Sequence, residues 1–431
     1  MKGQRNYSGY DMKNLRILVV LPLYGGSLPI GRYITSALSN DGHLVEVFEA
    51  PEFLDAYNSL AGLKITANKL SYLQNSFLNV VSQAVLAKVE TFEPDLVLAM
   101  AQAPLNHQAL KRLRKDGVTT AMWFVEDFRL FTYWKSFAPM YDIFAVIQKE
   151  PFLQELEKIG QPNALYLPLA AQPDFHQPLT LNPVDKRKFG SDISFMGAGY
   201  PNRRVAFREL VQYNFKLWGT EWEGDHVLEP LVQLQGARVS SVDCVKIFNA
   251  SKINLNLHSS IQAEELVTLG DFVNPRTFEL AACGAFQLVD ERRLLSEAFT
   301  KEELITFSSM DDLTDLIDHY LVHPEERIAL AEKARKRVLA DHTYQKRMQS
   351  LLEFTAEKIE GWPRQKAVHS SLIDLPPELS GEISALLVRL GLPEDVSFDD
   401  LVWAIRRQQG KLSELDTAIL FLDEWKKQYS Q

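Results

Sequence analysis

Cysteine is scarce in this chain of 431 residues, with only Cys244 and Cys283. Two thiols cannot supply a disulfide framework or a four-thiolate metal site, so the reducing cytoplasm is the expected compartment. No run approaches the ~20 consecutive apolar residues of a membrane-spanning helix; the first apolar stretch, Ile17 to Pro22, has the length of a strand. The lead before it, with Lys2, Arg5, Asp11, Lys13 and Arg16, lacks the apolar region and cleavage site of a signal peptide, and the mature protein is expected to begin near Met1. Basic residues do not dominate. The 46 Lys and Arg against 56 Asp and Glu leave a net charge of −10, which argues against a broad nucleic-acid surface. Repeats and low-complexity tracts are missing, as are the Gly-x-Gly-x-x-Gly and Gly-x4-Gly-Lys-Ser/Thr fingerprints. The nine histidines show no metal-ligand spacing such as His-Glu-x-x-His, and no metal is expected.

Hydrophobic residues make up 46% and charged residues 24%, the composition of a globular chain. Its length suits two to four domains. Ile17–Leu21, Leu44–Phe48, Leu96–Met100, Thr120–Val125 and Ile143–Ile147 read as buried strands, with helical spacing over Ala67–Phe92 and Asn106–Lys115. This alternation predicts an α/β fold with a doubly wound parallel sheet over residues 1–172. The proline-bearing stretch Gln172–Lys188 reads as a linker. A second set of strands (Ile193–Met196, Phe215–Trp218, Ile253–Leu257, Phe286–Val289) and helices (Arg203–Tyr213, Val242–Asn249, Pro275–Ala282) predicts another sheet domain over 189–345. Helices at Leu313–Leu321, Pro324–Ala340 and Tyr344–Ile359 follow, the last making 346–362 a crossover helix. After a second linker, Gly361–Pro377, residues 370–431 form a helical tail with 11 acidic and 6 basic residues. Phe398–Arg407 and Leu412–Tyr429 are its expected helices, the latter with Leu415, Ile419, Leu422, Trp425 and Tyr429 near one face.

The richest segment runs from Gly270 to Asp290. Asn274 can cap a helix whose first residue is Pro275, which puts Arg276 in the first turn. A helix start with an arginine suits an anion. Glu279 shares the Arg276 face at i+3, so the two either hold opposite ends of one ligand or form a plain exposed ion pair worth ~0.2–0.5 kcal/mol.

Phe278-Glu-Leu-Ala-Ala-Cys-Gly-Ala-Phe-Gln-Leu-Val-Asp290 resembles the donor-site helix of GT-B glycosyltransferases. With Asn274-Pro-Arg-Thr-Phe-Glu, Lys252-Ile-Asn-Leu-Asn-Leu-His258 and the closing Arg337-Val-Leu-Ala-Asp-His-Thr-Tyr344, the pattern is most similar to the CgeB-like glycosyltransferases. The resemblance spans roughly residues 15–360 and is most specific from 190 to 345. It implies a GT-B fold, two Rossmann-like domains facing a cleft, a nucleotide diphosphate sugar as co-substrate, and no cofactor or catalytic metal. It makes Glu279 the carboxylate on the donor ribose. It makes Asp271 the counterpart of a glutamate that contacts the sugar, one methylene shorter than usual.

Four other groups fit this frame. Gly197-x-Gly199 after a strand, with Arg203 and Arg204 behind it, suits a pyrophosphate. Gly25, Gly26 and Ser27 form a first loop beside acceptor or phosphate. Glu126 and Asp127 end a strand, and Asp127, which matches an acid of the relatives, is the candidate base if the reaction inverts, a retaining route relying more on the leaving phosphate; capping is the other reading of Asp127. His107 is a candidate base or acceptor ligand, and His258 a donor-site candidate. The predicted activity is sugar transfer to a hydroxyl of a protein or glycan. Two alternatives stay open: a non-catalytic nucleotide-sugar-binding or assembly protein, and another nucleotide-sugar enzyme such as an epimerase. The tail is expected to pack on the body or to serve an oligomer or partner.

Overall fold

In the computed structural model the described residues are 14–260, 262–263, 272–363, 376–394, 396–408 and 410–429. They divide into two compact units, Met1–Glu360 and Gly361–Gln431.

The first unit contains two wholly parallel sheets. One has β1 (Arg16–Val20), β2 (Leu44–Phe48), β3 (Leu96–Met100), β4 (Thr120–Phe124), β5 (Ile143–Val146) and β6 (Ala164–Tyr166), in the order β2-β1-β3-β4-β5-β6. The other has β7 (Ser191–Met196), β8 (Phe215–Trp218), β9 (Ser251–Asn256), β10 (Gln287–Asp290) and β11 (Ile305–Phe307), in the order β11-β10-β9-β7-β8. β1, β3, β4 and β5 are buried along their whole length, which explains why they are apolar but for Arg16 and Thr120 at the starts of β1 and β4. Taking each sheet's strands in chain order, the first has the arrangement 2-1-3-4-5-6 and the second 2-1-3-4-5. The direction of winding therefore reverses between β1 and β3 and again between β7 and β9. Ligands of such sheets bind in the crevice that opens at this reversal, outside the carboxyl ends of the strands.

The helix Tyr344–Lys358 returns to the first sheet. Its residues pack on the helix Ser27–Asn40, and Arg347 Nε donates to the Pro168 carbonyl at 2.7 Å. Thr343 caps it and pairs with Ala171 in a parallel bridge.

Some elements differ from the sequence reading. Within the expected linker 172–188, Pro183–Phe189 is helical because Asn182 accepts the Asp185 N–H at 2.8 Å and Phe189 is buried. β6 and β11 escape pattern reading because each has only three residues. The α-helix expected over Arg203–Tyr213 is Pro201–Phe207, continued by a single tighter turn.

The second unit is more than a tail. Helices Pro377–Leu390, Phe398–Arg407 and Glu414–Tyr429 enclose a core of Leu386, Leu387, Leu401, Val402, Ile405 and Ile419. The face expected on the last helix divides: Leu415 and Ile419 join this core, whereas Leu422 and Trp425 are half-exposed.

Candidate functional site

At the first reversal point the loops after β1 and β3 are tied together, with Ser27 Oγ donating to the Ala101 carbonyl at 3.2 Å. Gly25 has φ of 111°, a conformation open to glycine alone at little cost. The space that a Cβ would occupy at Gly26 is open. Next to this loop, Glu126 at the end of β4 accepts hydrogen bonds from Gln102 Nε2 and from the Tyr133 hydroxyl, the latter at 2.8 Å. The same hydroxyl accepts the Gln102 N–H at 3.0 Å, and Gln102 sits at φ of 64°, an uncommon backbone for a residue other than glycine. Burial pushes the Glu126 carboxyl above the ordinary glutamate value, and its two hydrogen bonds oppose only part of this.

The neighbouring candidates serve the scaffold. Asp127 Oδ1 accepts the Arg129 N–H at 2.8 Å, closing a local turn, which is the capping alternative. His107 is taken up as well: its Nε2 lies 3.0 Å from the Ser136 carbonyl and its ring stacks on Phe137 at 4.2 Å. Its place as a cleft base is corrected accordingly.

The Gly197–Gly199 loop needs a larger correction. The N–H groups of both glycines donate within the fold, Gly197 to Trp218 and Gly199 to Thr220, each at 2.9 Å, and cannot also cradle a pyrophosphate. The glycines are there for packing. A Cβ at Gly199 would stand 2.2 Å from the Glu221 carbonyl oxygen. Arg203 is buried and donates to the Leu257 and Ala198 carbonyls, while Arg204 donates to those of Gly199, Glu221 and Glu223. The Arg203 guanidinium thus ties the loops after β7 and β9 together at the second reversal point, and that of Arg204 ties the loop after β7 to the one after β8. They are not loose phosphate ligands.

His258 is likewise fully enclosed. Its Nδ1 lies 2.6 Å from Asp290 Oδ1, and its Nε2 accepts the Asn274 N–H at 2.9 Å. The second contact leaves the ring proton on Nδ1, facing Asp290. With Nε2 accepting, the ring is neutral, and burial lowers the His258 pKa against the pull of the Asp290 carboxylate. Both ring nitrogens are thus engaged within the fold, and the histidine positions Asn274. Asn274 in turn caps Pro275–Ala282 through the Thr277 N–H at 3.1 Å and donates to Asn256 Oδ1 at 2.7 Å. Asp271 lies outside the described residues.

On the capped helix, Arg276 and Glu279 do form an i, i+3 ion pair, but not an exposed one: their side chains retain 26% and 11% of their accessible surface. Arg276 also lies over the Phe248 ring at 4.8 Å. Burial is the largest single influence and works against its charge, but Glu279 together with Cys244, Tyr33 and Cys283 outweighs it and holds the pKa above the ordinary arginine value. The far oxygen of Glu279 is 3.8 Å from His176 Nε2. His176 Nδ1 accepts the Gln172 N–H at 3.1 Å, so Nε2 carries the proton that faces Glu279. Tyr33, from the first domain's helix Ser27–Asn40, meets the His176 ring edge-on at 5.0 Å and Tyr344 at 5.5 Å. Residues from both sheet domains and the connecting segments therefore converge on one carboxylate. Sequence reasoning missed His176, Tyr33, Gln102 and Tyr133, which belong to no motif. Asp290 closed the quoted donor segment, so its position was visible although its role was not.

Residues 181–353 match the glycosyl transferase-like family. Spore protein CgeB of Bacillus subtilis (strain 168) is 26% identical over 269 residues, covering 60% of this chain and 82% of that protein. Among solved structures, sucrose-phosphate synthase from Thermosynechococcus elongatus has a TM-score of 0.53 at 14% identity, over 80% of this chain and 99% of that one. HepE from Anabaena, solved with UDP and glucose, has a TM-score of 0.55 at 12% identity, over 80% of this chain and 100% of that one. Those two structures share the fold, two parallel-sheet domains of GT-B type. The capped Arg276–Glu279 helix falls inside the matched segment, and over residues 181–353 the chain is similar to the glycosyl transferase-like family and, more widely, to the spore protein CgeB.

Proposed function

We propose that the protein transfers a sugar from a nucleotide diphosphate sugar to a hydroxyl of a protein or glycan acceptor. The observation that carries this reading is the helix Pro275–Ala282, whose N-terminus is fixed by the Asn274 and His258 contacts and whose first two turns bear Arg276 and Glu279. In this reading residues 189–345 bind the donor. The helix start and Arg276 offset the charge of the departing diphosphate, the step in which fixed donors act most strongly. Glu279 takes the ribose hydroxyls and Asp271 the sugar. Metal independence is part of the proposal: Arg276 and the helix dipole fill the electrostatic role, and transfer is expected to persist in a chelator.

Residues 1–172 present the acceptor, with Gly25, Gly26 and Ser27 beside the reacting centre. Glu126 replaces Asp127 as the proposed proton acceptor, since its pKa is raised toward neutrality while Asp127 closes a turn. A cytoplasmic site of action and a partner or second copy held by the helical unit 361–431 complete the proposal. Among the described residues no helix is long and apolar enough to cross a membrane. Incubation with a panel of nucleotide sugars and analysis for a freed nucleoside diphosphate tests the reading. An isomerised donor would replace it with the epimerase alternative.

A further inference from the structure

Far along the chain from the donor helix's own residues, the helix Met310–Val322 gives way to Pro324–Asp341 at His323. Three potential metal ligands meet at this joint. His319 and His323 are four residues apart, so they share a helical face, and their rings stack at 4.1 Å between centroids with an interplanar angle of 18°. Glu326, in the first turn of the next helix, brings a carboxylate oxygen to 2.9 Å from His319 Nε2. One ligand atom from each of the three residues lies within 4.8 Å of the others.

The tautomers favour coordination. His323 Nδ1 is 2.6 Å from the His319 carbonyl oxygen, which accepts its proton, so the lone pair is on Nε2. The proton between His319 Nε2 and Glu326 can be replaced by a cation. Zinc–nitrogen and zinc–oxygen bonds of about 2.0–2.2 Å at tetrahedral angles put ligand atoms roughly 3.3 Å apart, so the 2.9 Å pair need open by only a few tenths of an ångström. Two imidazoles and one carboxylate suit zinc, nickel, copper or cobalt and not magnesium or calcium, which prefer all-oxygen shells.

We propose that His319, His323 and Glu326 form a surface site for a divalent transition metal, zinc being the working choice, with the fourth position left to water. The site would pin the joint between the two helices. The second of them packs on the donor helix, where Arg335 Nε donates to the Ala282 carbonyl at 3.2 Å. The inference does not depend on the proposed activity. The i, i+4 spacing of His319 and His323 was present in the sequence and was overlooked there because the third ligand follows a helix break.

Isothermal titration of untagged, chelator-treated full-length protein with zinc chloride, and separately with magnesium chloride, tests the site. The proposal expects one zinc per chain, no magnesium binding, and affinity at least about tenfold weaker in His319→Ala and in His323→Ala, since loss of even an outer-shell partner costs about 10–100-fold. Cobalt(II) in place of zinc should give the intense visible absorption of a tetrahedral site in the wild type and lose it in both variants. Circular dichroism of the metal-free variants separates a lost site from a lost fold. Absence of zinc binding, or zinc binding and a cobalt spectrum unchanged in both folded variants, overturns it.

Discussion

His258 Nδ1 stands 2.6 Å from Asp290 Oδ1, with both side chains wholly enclosed, and this pair sets where the helix Pro275–Ala282 begins. The ring's other nitrogen holds the Asn274 N–H, while the second Asp290 oxygen holds Arg292 Nε at 2.8 Å. Asp290→Ala removes the acceptor of two buried groups at once. Breaking the buried Asp290–Arg292 ion pair from one side costs about 3–5 kcal/mol, and urea unfolding should show a loss of that size. A loss below about 0.5 kcal/mol, the level of an ordinary surface change, would remove the pair from its proposed role.

Stability should also fall on acidification from pH 7 to 5. Burial lowers the pKa of His176, His258 and His342, the last to about 4, with Arg347 adding to the effect there. These rings stay neutral when folded and take up protons when unfolded, near pH 6.5. The unfolded state then binds more protons, so the contribution of each ring is present above pH 6.5 and is lost as pH falls toward its folded pKa. For His342 the loss between pH 7 and 5 is roughly 1–2 kcal/mol. Unfolding of His342→Gln at both pH values should show a correspondingly smaller drop, and an unchanged drop would contradict the assignment.

Two glycine substitutions separate packing from ligand approach. Gly199→Ala forces a methyl group against the Glu221 carbonyl and should destabilise by about 1–3 kcal/mol. Gly26→Ala meets open space. Its unfolding midpoint should stay near that of the wild type while transfer falls, because the methyl group would crowd only an incoming substrate. Thermal unfolding alongside a transfer assay reads both effects, and full activity in Gly26→Ala would take this loop out of the site.

The carboxylates at the end of β4 make a further pair. Proton transfer by a placed side chain contributes about 10²–10⁴-fold, so Glu126→Gln should lower kcat by that range with KM little changed. Asp127→Asn keeps an acceptor for the Arg129 N–H and should stay within a few-fold of wild type. The reverse ranking, measured on the same acceptor, would return the role to Asp127.

The sequence showed much of the frame and less of the site, for a physical reason. Strands buried on both faces appear as apolar runs, so β1, β3, β4 and β5 were readable, as was the Asn274-capped helix with Arg276 and Glu279. What a polar side chain faces depends on residues distant in the chain. Arg203 resembles a phosphate ligand in the sequence, yet its N–H groups donate to the Leu257 and Ala198 carbonyls, and His258 resembles a ligand contact, yet Asp290 and Asn274 take both its ring nitrogens. Glycine shows the same limit. At Gly199 it accommodates a carbonyl of the fold and at Gly26 nothing of the fold, a difference that no local pattern encodes.

The central claim is sugar transfer through the Arg276 helix, and product analysis of one reaction tests it most directly. With a nucleotide sugar and a hydroxyl acceptor, the wild type should release nucleoside diphosphate in step with glycosylated acceptor. Arg276→Ala should lower kcat/KM by about 10–100-fold, the worth of a charged hydrogen bond of roughly 1.5–3 kcal/mol. Nucleotide binding without turnover on any acceptor, or equal turnover by Arg276→Ala, would contradict it.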